Sequence, residues 1–328
     1  MIIARTPFRI SLFGGGTDFP DFFRTHGGAV LAGAINKYCY LSVHRLTPFF
    51  KHRFRASYSI TESVLEPEAF QHPLIRETLL EIGQREGIEI AHVADLPGQT
   101  GLGSSSAFTV GLLHALQAFR RQSPTPRELA RQAIRIERER VGDAGGWQDQ
   151  YVAAWGGFRQ ITFNPDDTVQ VRDLGLDPGR LDALADRLLL FYMGVERSAA
   201  AILRAQQDRA CANEAALLAL RDLVPRAEKL LTGGGPLREL GDLLHAAWQL
   251  KRTLAPEISN PDIDQTYAAA RAAGARGGKL LGAGGRGFLC LYVEPAAQPA
   301  VRAALRPLNE VDFRFSPEGS RIIFQSDE

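Results

Sequence analysis

The sequence predicts an α+β protein of two domains, and three observations carry that prediction. The chain has 328 residues, enough for two sizeable hydrophobic cores. Its first part interleaves strand-like runs with helix-length apolar runs, joined by the glycine-rich stretch PGQTGLGSSSAFTVGLLHALQAF at 97–119. After the linker-like LDPGR (176–180) the pattern changes to long helical stretches, and a glycine-rich turn then leads into an apolar strand. The expected domains are 1–180 and 181–328.

Composition narrows the function. Lys and Arg total 38 against 37 Asp and Glu, a net charge of +1, so no nucleic-acid or membrane-surface partner is expected. The three cysteines, Cys39, Cys211 and Cys290, are far apart and lack CxxC spacing, which argues against a disulfide framework or zinc site. MIIARTPFRI has no apolar leader core, and no apolar run reaches membrane-spanning length. A soluble, cytoplasmic protein is expected.

Residues 2–13 alternate as a strand, with Arg5, Pro7, Arg9 and Ser11 on one face and Phe8, Ile10 and Leu12 on the other. The strand runs into GGGTD (14–18), where bare backbone is bracketed by Arg9 and Asp18. Asp18 is either a cap for the FPDFF segment or a ligand-facing carboxylate, and Arg9 either a solvated strand residue or a charge partner. AVLAGAI and KYCYLSVHRL (29–46) read as paired strands, RFRASYSI (53–60) as another, 72–86 as a helix and 88–96 as a strand.

That last strand feeds the glycine loop. Gly101 and Gly103 let backbone approach a ligand, and the following helix start offers free N–H groups, together an anion cradle. The serines at 104–106 are placed to ligate a hydrated Mg²⁺. No Lys-Ser or Lys-Thr follows the last glycine, so this is not the common nucleotide loop. The plainer reading is a loop capped by Ser104.

SPTPRELARQAIRIERERV (123–141) opens with a capping box, Thr125 with Glu128 and Pro126 between. Its apolar stripe of Ala130, Ala133 and Ile134 also carries Glu137. A carboxylate there is either a buried ion-pair member or a functional group. In GDAGGWQDQYVAAW (142–155), Trp147, Tyr151 and Trp155 form an anchoring stripe. Asp149 lies on another side between the small residues Gly145 and Ala153, so it is either a surface residue or one with room for substrate.

Residues 156–174 read as a hairpin and 187–194 as a strand. Helices are expected over 196–231, 236–254, 261–274 and 296–306, with strands near 311–315 and 320–324. Gly282, Gly284 and Gly287 satisfy G-x-G-x-x-G, but the strand-like FLCLYV follows where a dinucleotide site needs a helix. A dinucleotide oxidoreductase is therefore disfavoured.

With these residues in view, the chain resembles the GHMP superfamily of small-molecule kinases along nearly its whole length. PFRISLFGGGTDF is similar to that family's first motif, PGQTGLGSSSA to its second and KLLGAGGRGF to its third. IERERVGDAGGWQDQ is similar to the galactokinase-type segment with a metal-binding Glu and a catalytic Asp. GGGTDFP, HPLIRETL, WQLKRTLAPEISNPDID and GAGGRGF look most like D-glycero-D-manno-heptose 7-phosphate kinases.

The resemblance implies an N-terminal domain like ribosomal protein S5 domain 2 and a ferredoxin-like C-terminal domain, with ATP and a sugar phosphate meeting between them. It implies that Pro97, Gly98, Gly101, Leu102, Gly103, Ser104, Ser105 and Ser106 hold ATP. Mg²⁺ would be bound by Glu137 and Ser105, with Ser106 the alternative because the triple serine leaves the register open by one. Asp149 becomes the base and Arg9 the group stabilising the transferring phosphoryl. Gly14, Gly15, Gly16, Thr17 and Asp18, with Gly284, Gly285 and Lys251, face the acceptor. The substrate's own phosphate has three candidate anchors: N–H groups near 14–16, Lys251 and Arg252.

Two departures stand out. Gly15 and Gly16 replace the Glu-His pair of galactokinases, which argues against galactose. Arg286 stands where a glycine is more usual, either reaching a phosphate or pointing to solvent. The activity that the resemblance implies is phosphorylation of the anomeric hydroxyl of D-glycero-D-manno-heptose 7-phosphate to the 1,7-bisphosphate, by a monomer or homodimer. The alternatives are another sugar-1-kinase of the fucose or galactose type and a non-catalytic ligand sensor.

Overall fold

A computed structural model describes residues 1–194, 199–209 and 212–326. The first part comprises β1 (Ile2–Phe13), α1 (Pro20–His26), β2 (Gly28–Arg45), β3 (Phe54–Ser57), β4 (Thr61–Val64), α2 (Pro73–Glu81) and β5 (Ile88–Ala94). It continues through α3 (Ser104–Phe119), α4 (Pro126–Ile134), α5 (Gln148–Trp155), β6 (Phe158–Phe163) and β7 (Val169–Asp173). The second part comprises α6 (Pro178–Ala185), β8 (Leu188–Tyr192), α7 (Ala199–Asp208), α8 (Glu214–Thr232), α9 (Arg238–Thr253) and α10 (Pro261–Ala272). It ends with β9 (Gly277–Leu280), β10 (Phe288–Tyr292), α11 (Gln298–Ala304), β11 (Asn309–Glu310) and β12 (Arg321–Gln325).

The two halves of β2 are one continuous 18-residue strand, not the expected pair. Nothing between Ile35 and Lys37 supplies a turn, and each half finds its own partner. Residues 28–33 pair with β6, residues 39–45 pair with β5, and β1 runs antiparallel along both. The expected strand at 53–60 is a hairpin, β3 with β4. The expected strand near 311–315 is β11 at 309–310 followed by a single bridge from Phe315 to Ile35. The chain is there crossing from one sheet to the other, so it pairs only in passing. The expected helical span 196–231 is α7 and α8, with 196–198 and 210–211 outside the described residues.

The second sheet has the order β11-β8-β10-β9, all antiparallel. Numbered along the chain this is 4-1-3-2, the ferredoxin-like order, with β9 and β10 the hairpin around the third glycine loop. The protein is thus a two-domain α+β fold. β12 belongs to the first sheet, where it pairs with Ile2–Arg5 of β1.

That short pairing matters for the site. Beyond Arg5 the outer side of β1 is free of β12, and the Arg9 N–H donates to the Leu102 carbonyl at 3.0 Å. The glycine loop therefore hangs on the first strand. Behind it α3 is buried almost throughout; at Gly111 an added Cβ would lie 2.8 Å from Thr6 Oγ1, so the helix sits tight against β1. Cys39 and Cys290 are buried free thiols, and Cys211 lies outside the described residues. No helix among the described residues is long and apolar enough to cross a membrane.

Candidate active site

A cavity of about 350 Å³ lies where the three glycine-rich loops meet. Each loop is held by close backbone packing. Gly14 has φ 77°, and a Cβ there would fall 1.9 Å from the Ala29 carbonyl and 2.8 Å from Val224 of α8. A Cβ on Gly101 would fall 2.4 Å from the Leu281 carbonyl, so the second and third loops touch backbone to backbone. No side chain fits at either junction.

The second loop enters α3 through Gly103 at φ 73°, with no side-chain cap. Ser104 does not cap the helix: its hydroxyl accepts from the Gln99 N–H inside the loop at 3.2 Å. The first-turn N–H groups of α3 are left for a ligand. Gly101, Gly103, Ser104, Ser105 and Ser106 line the cavity. Pro97 and Gly98 are exposed at the loop's start, and Leu102 is buried behind it.

Glu137 sits in a π-helical turn (Arg135–Arg140) that continues α4, and is 1% exposed. The wider turn is a local departure of a kind often found at functional sites. Its Oε2 accepts from Ser106 Oγ at 3.0 Å and from Gln150 Nε2 at 2.7 Å, with the Arg138 guanidinium at 3.7 Å. Burial raises its pKa, with Arg138 and these hydrogen bonds opposing. Of the two candidate serines it is Ser106, not the exposed Ser105, that meets Glu137.

Glu137 Oε1 is buried without a partner, and Glu137 and Ser106 both line the cavity. Among the described residues no group of three or more His, Cys, Asp or Glu could hold a metal alone. One carboxylate and one hydroxyl beside a phosphate cradle do fit Mg²⁺, which takes few protein ligands and completes its shell with phosphates and water.

Asp149, at the start of α5, is gripped by Arg9. The guanidinium donates Nε to Oδ1 and Nη2 to Oδ2, both at 2.7 Å, and Nη1 to the Gly101 carbonyl at 2.6 Å. This fork fixes the carboxylate against the second loop. Trp147 and Tyr151 anchor the helix through Phe23 and Phe163. Arg138 ties the loop before it through the carbonyls of Asp143, Ala144 and Gly146.

Asp18 is 1% exposed. Burial raises its pKa, and the Asp149 charge raises it further against hydrogen bonds from Gly16 and Gln148. Gly15, Gly16 and Asp18 line the cavity, whereas Gly14 and Thr17 do not. The Thr17 hydroxyl is turned inward to the carbonyls of Gly14 and Ala29, at 2.8 and 2.9 Å, and pins the loop. In the third loop Gly284 and Arg286 face the cavity, while Gly285 is tied to Ile258 and Asn260. Arg286 is half-exposed and only loosely held, with Met193 O at 3.4 Å and Asp262 at 4.0 Å.

Lys251 is buried in the cavity wall, donating to Leu280 O at 3.1 Å and Gly282 O at 2.5 Å. Sequence reasoning missed its neighbour Lys279, also buried and lining the cavity, which donates to Leu12 O at 3.2 Å. The lysine that opens the third motif, KLLGAGGRGF, at the end of an otherwise uncharged strand was the available signal. Burial, Lys279 and Arg9 pull Lys251 well below its usual pKa; burial first and then Arg9 bring Lys279 to about 8. Arg252 pairs with Asp264 and lies outside the cavity lining.

Residues 69–157 match the family model for the GHMP kinases N terminal domain, and 219–309 that for the GHMP kinases C terminal. A D-glycero-alpha-D-manno-heptose 7-phosphate kinase of Campylobacter jejuni is 28% identical, with 97% of each chain covered. A Pyrococcus furiosus galactokinase is 27% identical over 63% of this chain and 57% of its own. Among solved structures, a D-glycero-D-manno-heptose 1-phosphate kinase from Bacteriodes thetaiotaomicron superposes with a TM-score of 0.81 at 23% identity, covering 100% of both chains. Lactococcus lactis galactokinase complexed with galactose gives 0.72 at 18%, covering 98% and 94%. Likeness at that identity speaks for the fold alone.

The matches to both family models, together with whole-length similarity to a sugar kinase, make the protein an ATP-dependent phosphotransferase with an alcohol group as acceptor. The chain belongs to the GHMP kinase family.

Proposed function

We propose that the protein phosphorylates the anomeric hydroxyl of D-glycero-D-manno-heptose 7-phosphate, giving the 1,7-bisphosphate. The observation that carries the choice of an anionic sugar is the charge balance of the inner cavity. The lining carries Arg9, Arg138, Lys251, Lys279 and Arg286 against Asp18, Glu137, Asp143 and Asp149, a formal excess of one positive charge. A bound anion would hold the two buried lysines, whose pKa values burial lowers, in their protonated form. Lys279 spends one donor and Lys251 two on backbone carbonyls, so each retains capacity for an anion. Whole-length similarity to a heptose 7-phosphate kinase supports the same reading, as does the bare backbone at Gly15 and Gly16.

In this reading the N–H groups of 101–106 hold the ATP phosphates, and Asp149 takes the proton from the acceptor hydroxyl. Arg9 orients Asp149 and places positive charge beside the transferring group. Asp18 accepts from sugar hydroxyls. Glu137 and Ser106 would hold Mg²⁺, which supplies charge neutralisation between the phosphates. The base Asp149 and the metal-holding pair Glu137 and Ser106 are all present, so the reading favours catalysis over ligand sensing.

ADP release with heptose 7-phosphate, the unphosphorylated heptose, mannose, fucose and galactose tests the assignment. Loss of the 7-phosphate is expected to lower kcat/KM at least about tenfold, since one charge-assisted contact is worth roughly 1.5–3 kcal/mol. Equal use of heptose with and without phosphate, or preference for a neutral hexose, removes the heptose 7-phosphate assignment and leaves the kinase.

The lysines give a second expectation. With Lys279 near 8, its charge is present below that pH and lost above it. KM for the phosphorylated sugar should therefore rise between pH 8 and 9, while KM for the unphosphorylated sugar stays flat. Parallel profiles for the two sugars would take Lys279 out of phosphate binding.

A further inference from the structure

Gln148 begins α5 one residue before Asp149 and is 9% exposed. Its Nε2 donates to Asp18 Oδ2 at 3.0 Å, and its backbone N–H to the same oxygen at 3.2 Å. That contact decides which way round the carboxamide sits. A flipped amide would set its oxygen against a carboxylate, so the NH₂ end belongs to Asp18 and the oxygen end is an acceptor for something else.

The Oε1 atom is buried and has no partner, and the same holds for Ser11 Oγ. Both residues line the cavity. They flank the bare Gly15, where an added Cβ would lie 3.5 Å from Ser11 Oγ and 3.7 Å from Gln148 Nε2. Buried polar atoms left unpaired are costly, and at a cavity wall such atoms are satisfied by water or by the ligand group that displaces it. Gln150, two residues on, is the internal contrast. Its Nε2 similarly holds Glu137 and its Oε1 is also unpaired, but it does not line the cavity.

We infer that Ser11 and Gln148 form a hydroxyl-recognition subsite that receives one hydroxyl of the acceptor sugar beside Gly15. The hydroxyl donates to Gln148 Oε1 and shares a hydrogen bond with Ser11 Oγ. Asp18 thereby acts twice, as an acceptor itself and as the group that orients Gln148. This rests on the sugar-kinase reading but not on which sugar is used.

The test uses the sugar that the wild-type enzyme turns over best, together with its monodeoxy analogues. Ser11→Ala removes a hydroxyl that has no partner in the protein, so its Tm should stay at the wild-type value. Its KM for the sugar should rise about tenfold, the size of one lost hydrogen bond, with KM for ATP unchanged. Gln148→Met should raise the sugar KM further and lower the Tm, because Asp18 loses a donor. The decisive comparison is the penalty for each deoxy analogue. At one ring position that penalty should be large in the wild type and nearly vanish in both variants, as expected for two groups that touch.

Unchanged deoxy penalties in both variants would overturn the inference and leave Gln148 as a strut for Asp18. A rise confined to KM for ATP would overturn it in favour of a nucleotide hydroxyl. If the wild type uses no sugar, the sugar-kinase reading falls first and this inference with it.

Discussion

Asp149→Asn should fold, bind ATP and lose turnover by roughly 10²–10⁴-fold, the usual worth of a positioned general base. The geometry sharpens the expectation. Asn keeps the volume, but it sets an NH₂ against the Arg9 guanidinium, which now donates to both carboxylate oxygens at 2.7 Å. The substitution therefore removes the base and loosens the arginine together. Arg9→Met should be nearly as damaging alone and add little to Asp149→Asn, because the two act as one unit. A second readout comes from Asp18. Part of its raised pKa comes from Asp149, so that pKa should fall in the variant, moving the acid limb of sugar binding to lower pH. A loss of only a few-fold, with independent effects at Arg9, would demote Asp149 to sugar positioning and make Arg9 the main catalytic group.

Glu137→Gln should give the second-largest effect, on the order of 10²-fold in the Mg²⁺ concentration needed for half-activity. Glutamine fits the space, yet it cannot offer two anionic oxygens. The carboxylate has one oxygen committed to Ser106 and Gln150 and one buried without a partner. That free oxygen is the position from which a cation would be held. The check is a Mg²⁺ titration of ADP release beside a thermal unfolding curve. A variant that loses stability while keeping normal turnover and a normal Mg²⁺ midpoint per folded molecule would make Glu137 a structural partner of Arg138. Ser106→Ala should move the midpoint in the same direction and Ser105→Ala should not, since only Ser106 reaches the carboxylate.

Much of the architecture was legible from local pattern. The capping box at Thr125 formed as read, and the alternation of 2–13 and the hairpin at 156–174 are local signals that tertiary packing had no reason to override. The continuous strand β2 was not legible, because its two halves are defined by partners far away in sequence, β6 and β5. The same reason hid the return of β12 to the first sheet.

For the site, residue type and spacing alone singled out Arg9, Asp18, Glu137 and Asp149. Charged side chains on apolar faces or beside bare glycines are conspicuous, since burial without a partner costs too much to be accidental. What only the tertiary structure decided was who meets whom. Helix α3 turns Ser106 rather than Ser105 toward Glu137, a choice of one residue that a run of three serines cannot express. Thr17 and Gly285 were drawn into loop packing, away from the cavity. Lys279, Gln148 and Ser11 came to line the cavity only once β9, α5 and β1 had been brought together. A glutamine in a helix and a serine in a strand are unremarkable in one dimension, and the lysine opening the third motif was no more than a hint. Their meaning comes from what is left unpaired when three distant segments close on the same cavity, and that is a property of the packing.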